Sequence, residues 1–313
     1  MLGYYVHDLS PFLLRFSENF GLRWYGLAYV AAFLLGIWLV KRFSRQGFCD
    51  IPEAKVSDFV IGGAIFGVLI GGRLGYMLFY DLASFLQNPF IVVKVWDGGM
   101  SAHGGMIGLT LYTLWYARRH KCSWLNIGDN LVVAAPLGLF LGRIANFING
   151  ELFGRVTSVP WAMQFPKELY DAPDETVQLA FQEATAINPS WTTLDVIFDN
   201  VGKSPQLKEA LAGILSPRHP SQIYEAFLEG AVLFLILYLL RTRWRTPNGL
   251  ITGVFFILYA IFRSFVELFR QPDAPLTGAL TRGQFLSLFL ILIGIGFLVA
   301  AWRRPTYPLR RRE

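Results

Sequence analysis

Charge is scarce in this 313-residue chain: Asp, Glu, Lys and Arg make up only 16% of it, where soluble domains carry about a quarter. With 54% hydrophobic residues and a mean hydropathy of +0.42, that shortage excludes an ordinary water-soluble fold and implies a polytopic membrane protein. Cysteine is scarcer still. Cys49 and Cys122 are the only two, and neither has a His or second Cys at metal-ligand spacing, so they are expected to be reduced, unpaired and uninvolved. No metal and no cofactor is expected. No repeat relates the two halves of the chain, which counts against the inverted-repeat build of many transporters. No cleavable signal-peptide pattern follows the N-terminal segment.

What is abundant is long apolar sequence. Seven stretches are long enough to cross a bilayer as helices at about 1.5 Å per residue: roughly 22–41, 57–80, 101–117, 127–147, 222–240, 249–269 and 284–302. The third is the weakest, because it opens with Gly and His. Gly63, Gly67, Gly71 and Gly75 stripe one face of the second and let a neighbouring backbone approach closely.

The basic residues that remain decide orientation. Fifteen of the 28 Lys and Arg fall in short flanks on one side: Lys41 to Lys55, Arg118 to Lys121, Arg241 to Arg245, and Arg303 to Arg312. Positive-inside bias then predicts an outside N-terminus and a cytoplasmic C-terminus. The net charge of +6 reads as anchoring to anionic lipid, and no nucleic-acid partner is expected. The expected organisation is an interfacial arm over 1–21, transmembrane helices 1–4 over 22–150, and an outer-face cap over 151–218. Helices 5–7 follow over 219–303, then a basic tail over 304–313. The expected fold class is therefore all-α, seven-helix and polytopic.

Three arginines break the apolar runs, and each costs roughly 3 kcal/mol in a membrane span, so each is a functional candidate. Arg73, Arg143 and Arg263 sit about seven, four and six residues before the outer ends of spans two, four and six. That places them on the order of 6–11 Å below the outer boundary. His103 opens span three and Tyr25 lies in the first turns of span one, both from the same side. The inner halves of the spans are expected to be almost free of polar groups. Arg263, Glu267 and Arg270 share one helical face; they form either a self-neutralising ladder or, with two arginines to one glutamate, a net positive site for an anion. Phospholipid phosphate fits paired guanidiniums through bidentate charge-assisted hydrogen bonds. A lipid or anion transporter using the same arginines is the alternative reading. For Arg73 the packing role is the simpler one.

Several strings together resemble the bacterial prolipoprotein diacylglyceryl transferase family. They are Gly142 to Gly154, Trp24-Tyr25-Gly26, Gly71 to Tyr76, Asp97 to Met100, His103-Gly104-Gly105, His219 to Gln222, and Arg263 to Asp273. Ala102 departs from the pattern, where a bulkier residue is usual. The resemblance implies an integral protein of the bacterial inner membrane with its site at the outer leaflet. It implies transfer of the diacylglyceryl group of phosphatidylglycerol to the lipobox cysteine of a preprolipoprotein, with a thioether formed and glycerol phosphate released. It further implies catalytic roles for His103, Arg143 and Arg263, and a phosphatidylglycerol site that adds Tyr25, Asn146, Glu151, Gly154, Glu267 and Arg270. An imidazole with a pKa of about 6.5 can accept a thiol proton, so His103 is the candidate base. A structural role for His103, and a cap or surface role for Glu151, remain open from the residues alone.

Overall fold

The computed structural model describes residues 3–17, 20–94, 98–272, 280–303 and 305–308. Asp97, Asp273 and the basic tail residues Arg304 and Arg310 to Arg312 lie outside them. Each expected apolar run is helical: α1 (Trp24–Arg45), α2 (Glu53–Phe79), α3 (Ala102–His120) and α4 (Trp124–Asn149). Beyond a segment holding the helices α5 (Asp174–Ile187), α6 (Leu194–Val201) and α7 (Pro205–Ala212) follow α8 (Ser221–Arg243), α9 (Leu250–Val266) and α10 (Arg282–Arg303). Among the described residues α1, α2, α4, α8 and α10 are long and apolar enough to cross a membrane, while α9 is apolar but shorter. Local chemistry sets the ends. The Ser101 hydroxyl caps α3 by accepting from the Gly104 amide at 3.2 Å, and Lys121 closes it in a left-handed conformation at φ 55°. Two helices contain a π-helical stretch, Gly63–Leu69 in α2 and Ala226–Val232 in α8, a local widening that recurs at functional sites.

The chain divides into two compact units. The first takes in residues up to Leu34, Ala135–Ile236 and Phe255–Ile295. Its polar cap has a core of its own, built from Val6, Leu169, Ala180, Ala184, Ile197, Val201, Leu207 and Leu211. Strand β1 (Tyr5–Val6) pairs in parallel with β4 (Met163–Gln164), which pairs antiparallel with β5 (Pro217–Arg218). A separate hairpin joins β2 (Phe12–Arg15) to β3 (Gly21–Arg23). The N-terminal segment is thus partly built into the cap: Val6 and His7 are buried, while Phe16 is exposed. Glu168 ties the sheet to the next segment, accepting from the Ser216 amide at 2.7 Å and pairing with Arg218.

The second unit takes in Leu35–Ala134, Leu237–Val254 and the chain from Gly296. In it α2 and α3 meet backbone to backbone. A Cβ on Gly104 would stand 2.4 Å from the Gly71 carbonyl and 2.7 Å from the Gly75 Cα, which no side chain tolerates, so the glycine stripe is a packing surface. The expectation that the inner halves of the spans lack polar groups fails here. Asn126, Asp129 and Asn130 on α4, Arg241 on α8 and Thr252 on α9 are all buried. They are retained because they satisfy one another and the loop ends. Asp129 accepts from the Gly249 and Thr252 amides, each at 2.8 Å, and so caps the start of α9. Asn126 donates to the Phe48 carbonyl at 3.0 Å and to Asn248 at 3.1 Å, and Arg241 donates to the same Phe48 carbonyl.

Candidate active site

Arg143 lies two turns before the end of α4, where it joins a cluster with five further charged residues of the first unit. Its Nε is 2.6 Å from Glu225 Oε2 and its Nη2 is 3.8 Å from Glu229 Oε2. Both carboxylates belong to α8. Glu225 closes its first turn, and Glu229 falls in the π-helical stretch that begins at the next residue. From α9, Arg263 Nη1 reaches Glu225 at 3.3 Å and Glu229 at 3.7 Å, while its Nη2 is 2.9 Å from Glu267, four residues on. Arg270, just past the helix, donates from Nη1 to Glu225 Oε1 at 3.2 Å. Glu225 therefore touches all three guanidiniums.

The expected surplus of positive charge is corrected by this geometry. Three guanidiniums, those of Arg143, Arg263 and Arg270, meet three carboxylates, those of Glu225, Glu229 and Glu267. Among the described residues formal charge balances, because α8 supplies two acids that the reading of span six alone did not include. Charge balance is not hydrogen-bond balance. Arg263 Nη1 and both oxygens of Glu229 are buried without an aligned hydrogen-bond partner, although opposite charges stand within 4 Å. Buried polar atoms left in that state mark a place where a further group can bond. Arg143 and Arg263 retain some access, with side chains 18% and 14% exposed.

The remaining expected residues fall into three places. Asn146, one turn on from Arg143, donates to Glu151 Oε1 at 2.8 Å, and Asn149 does so at 3.3 Å. Glu151 is thereby held over the end of α4, its amide donating to the Asn146 carbonyl at 3.1 Å. Gly154 is a crossing point of backbones: a Cβ there would stand 2.5 Å from the Phe269 carbonyl and 2.7 Å from that of His219. Its amide donates to His219 at 2.8 Å, and it bridges to Arg270. These contacts stitch the strip after α4 to the start of α8 and the end of α9, the elements that bear the charged cluster. Tyr25 stacks edge-on with Tyr29 at 5.1 Å between ring centroids.

Arg73 and His103 belong to the second unit. Arg73 is buried and spends its donors on backbone: the carbonyls of Ile91 at 2.9 Å, Gly99 at 3.1 Å, Val92 at 3.3 Å, and Gly98. A guanidinium so committed organises the loop after α2 and has no spare edge for phosphate. His103 is exposed, on the second residue of α3.

Sequence reasoning missed Glu225 and Glu229, and it missed a cavity in the cap. A hollow of about 720 Å³ opens in the cap, lined among others by His7, Arg23, Asn149, Glu151, Lys167 and Lys203. It shares Asn149 and Glu151 with the strip that follows Arg143. His7 sits in its wall between Phe165, stacked at 5.5 Å, and Phe147, edge-on at 5.4 Å, and burial pushes its imidazole down to about 4.

Comparison with known proteins gives a consistent result. A family model described as prolipoprotein diacylglyceryl transferase matches residues 11–300. A protein of Proteus mirabilis (strain HI4320) named phosphatidylglycerol–prolipoprotein diacylglyceryl transferase is 43% identical over 286 residues, covering 90% of this chain and 89% of its own. One of the same name from Sodalis glossinidius (strain morsitans) is 43% identical over 290 residues, covering 90% of each. Another, from Yersinia pestis (strain Pestoides F), is 42% identical over 293 residues, covering 92% of each.

Proposed function

The chain belongs to the prolipoprotein diacylglyceryl transferase family, and from that premise we infer that it transfers the diacylglyceryl group of phosphatidylglycerol to the cysteine thiol of a prolipoprotein. The reaction is a displacement at carbon. The bond between glycerol carbon and phosphate oxygen breaks, a carbon–sulfur bond forms, the thiol gives up its proton, and glycerol phosphate leaves. Three things are required: a lipid held by its phosphate, a carbon aligned with sulfur, and stabilisation of the departing charge.

The observation that carries this reading is the partly accessible pair Arg143 and Arg263, tethered on one side by carboxylates and with a buried Arg263 N–H left unmatched. Guanidiniums in that state offer planar donors to a phosphodiester and hold them in place as negative charge grows. Arg270 and Glu267 complete the ring behind them. Asn146, Glu151 and Gly154 shape the wall nearest the cap, and Tyr25 borders the lipid. His103 takes the thiol proton; its exposed imidazole at a helix start is free to meet a second substrate. The acceptor is the lipobox cysteine of a preprolipoprotein. All seven apolar helices cross the bacterial inner membrane, with the N-terminus outside and the C-terminus in the cytoplasm. Arg143 and Arg263 then lie toward the outer leaflet, below the cap over 151–218, and the first 21 residues skirt the same surface.

The test is direct. Purified protein in mixed micelles with phosphatidylglycerol and a synthetic lipobox peptide is expected to yield a peptide heavier by one diacylglyceryl group, and to release glycerol phosphate in equal amount. Movement of phosphatidylglycerol between leaflets of vesicles without any lipidated peptide would favour the transporter reading.

A further inference from the structure

Glu225 is completely buried at the start of a membrane helix, where a lone carboxylate is strongly disfavoured. It is held there by three cations from two other segments: Arg143 at 2.6 Å, Arg270 at 3.2 Å and Arg263 at 3.3 Å. Each oxygen is used, Oε2 by Arg143 and Arg263 and Oε1 by Arg270. Among the described residues Glu225 alone joins all three arginines. Glu229 reaches only Arg143 and Arg263, at 3.8 Å and 3.7 Å. Glu267 pairs with Arg263 and is further confined by Gly283, whose added Cβ would stand 2.7 Å from its carboxylate oxygen.

We infer that Glu225 is a positioning residue: its carboxylate, itself anchored by Arg270, holds the guanidiniums of Arg143 and Arg263 in one arrangement, so that the donors these two keep accessible meet a single lipid phosphate. An arginine side chain free in solvent carries considerable rotamer entropy. Two of them recruited separately would lose much of that on binding phosphate. Tied in advance to a shared carboxylate, they have already lost it. Glu225 does not itself touch the anion, which a carboxylate would repel. Its effect passes through the arginines.

This role rests on the transferase reading for its substrate, but lipid binding tests it independently. Dissociation constants for phosphatidylglycerol in detergent micelles are measured for the parent, Glu225→Gln, Glu225→Asp, Arg143→Ala, and Arg143→Ala combined with Glu225→Gln. Glu225→Gln, which keeps the shape and removes the charge, is expected to weaken binding at least tenfold. Glu225→Asp is expected to recover part of that loss, because a carboxylate is retained one methylene further back. In the Arg143→Ala background the added loss is expected to shrink below threefold, since residues acting as one unit are not additive. An equal loss in both backgrounds, or unchanged affinity with a lowered melting temperature, overturns the proposal and leaves Glu225 as a folding element. If Glu225→Gln cannot be purified, Glu225→Asp decides: parental affinity in that variant also overturns it. A parent that binds phosphatidylglycerol and shows this pattern but never lipidates the peptide removes the transferase reading alone.

Discussion

At the scale of single residues, the arginines separate by what their donors meet. Arg73 is committed to four carbonyls, whereas Arg143 and Arg263 are held by carboxylates and keep partial exposure. Arg143→Ala and Arg263→Ala are each expected to lower transfer at least a hundredfold in protein that still inserts. Lysine is expected to recover little, because a point charge cannot reproduce a planar two-pronged contact. Turnover of Arg143→Lys equal to the parent's would remove the bidentate role. Arg143 was legible as a candidate because a guanidinium in an apolar run is conspicuous. Glu225 and Glu229 were not: two carboxylates among the apolar residues of span five scarcely lower its hydropathy, and their meaning depends on which helices they face. His7 is a second residue whose behaviour only packing reveals. Unfolded, its pKa is about 6.5; folded, burial holds it near 4, so between those values the unfolded chain binds the extra proton. Stability of the cap is therefore full above about pH 6.5 and is lost as pH falls toward 4, by up to about 3 kcal/mol. Melting of the purified protein across that window checks it, and His7→Phe is expected to flatten the loss.

Elements show what periodicity can and cannot reveal. Apolar runs mark the membrane helices, since burial in lipid demands a continuous stretch of them, and the four-residue glycine spacing in α2 marks a contact face. Its partner was hidden. Gly104 and Gly108 on α3 supply the matching surface, and Gly108 is as tight as Gly104: a Cβ there would stand 2.2 Å from the Gly67 carbonyl. Gly104→Ala is expected to force α2 and α3 apart and cost about 1–3 kcal/mol, the usual penalty for overpacking, seen as a lower melting temperature in detergent. Gly26→Ala, where nothing lies within 4 Å of the added methyl, is expected to melt with the parent. Equal melting of Gly104→Ala and the parent would mean the two backbones can part freely. The cap's sheet escaped the sequence for a different reason. Strands of two residues, such as β1 and β4, are too short to carry an alternating pattern, and their pairing joins segments about 160 positions apart.

For the molecule as a whole, the remaining question is which way it faces the membrane. The charge bias from which its orientation is expected rests on fifteen basic residues in short flanks on one side, a kind of signal that acts during insertion and leaves no trace in packing. The native thiols are poor reporters of sidedness. Burial pushes Cys49 up to about 12 and also raises Cys122, so thiolate is scarce at neutral pH and both label slowly from either side. Reporters placed on exposed positions avoid that difficulty. In a Cys49→Ala, Cys122→Ala background, Gln178→Cys on α5 and Arg119→Cys at the end of α3, both exposed in the parent, sample the cap and a basic flank. A membrane-impermeant maleimide added to intact cells is expected to label Gln178→Cys and to leave Arg119→Cys unlabelled until the membrane is permeabilised. The reverse pattern would place the cap in the cytoplasm. It would move Arg143 and Arg263 to the inner leaflet, where a preprolipoprotein cysteine already carried across the membrane could not reach them.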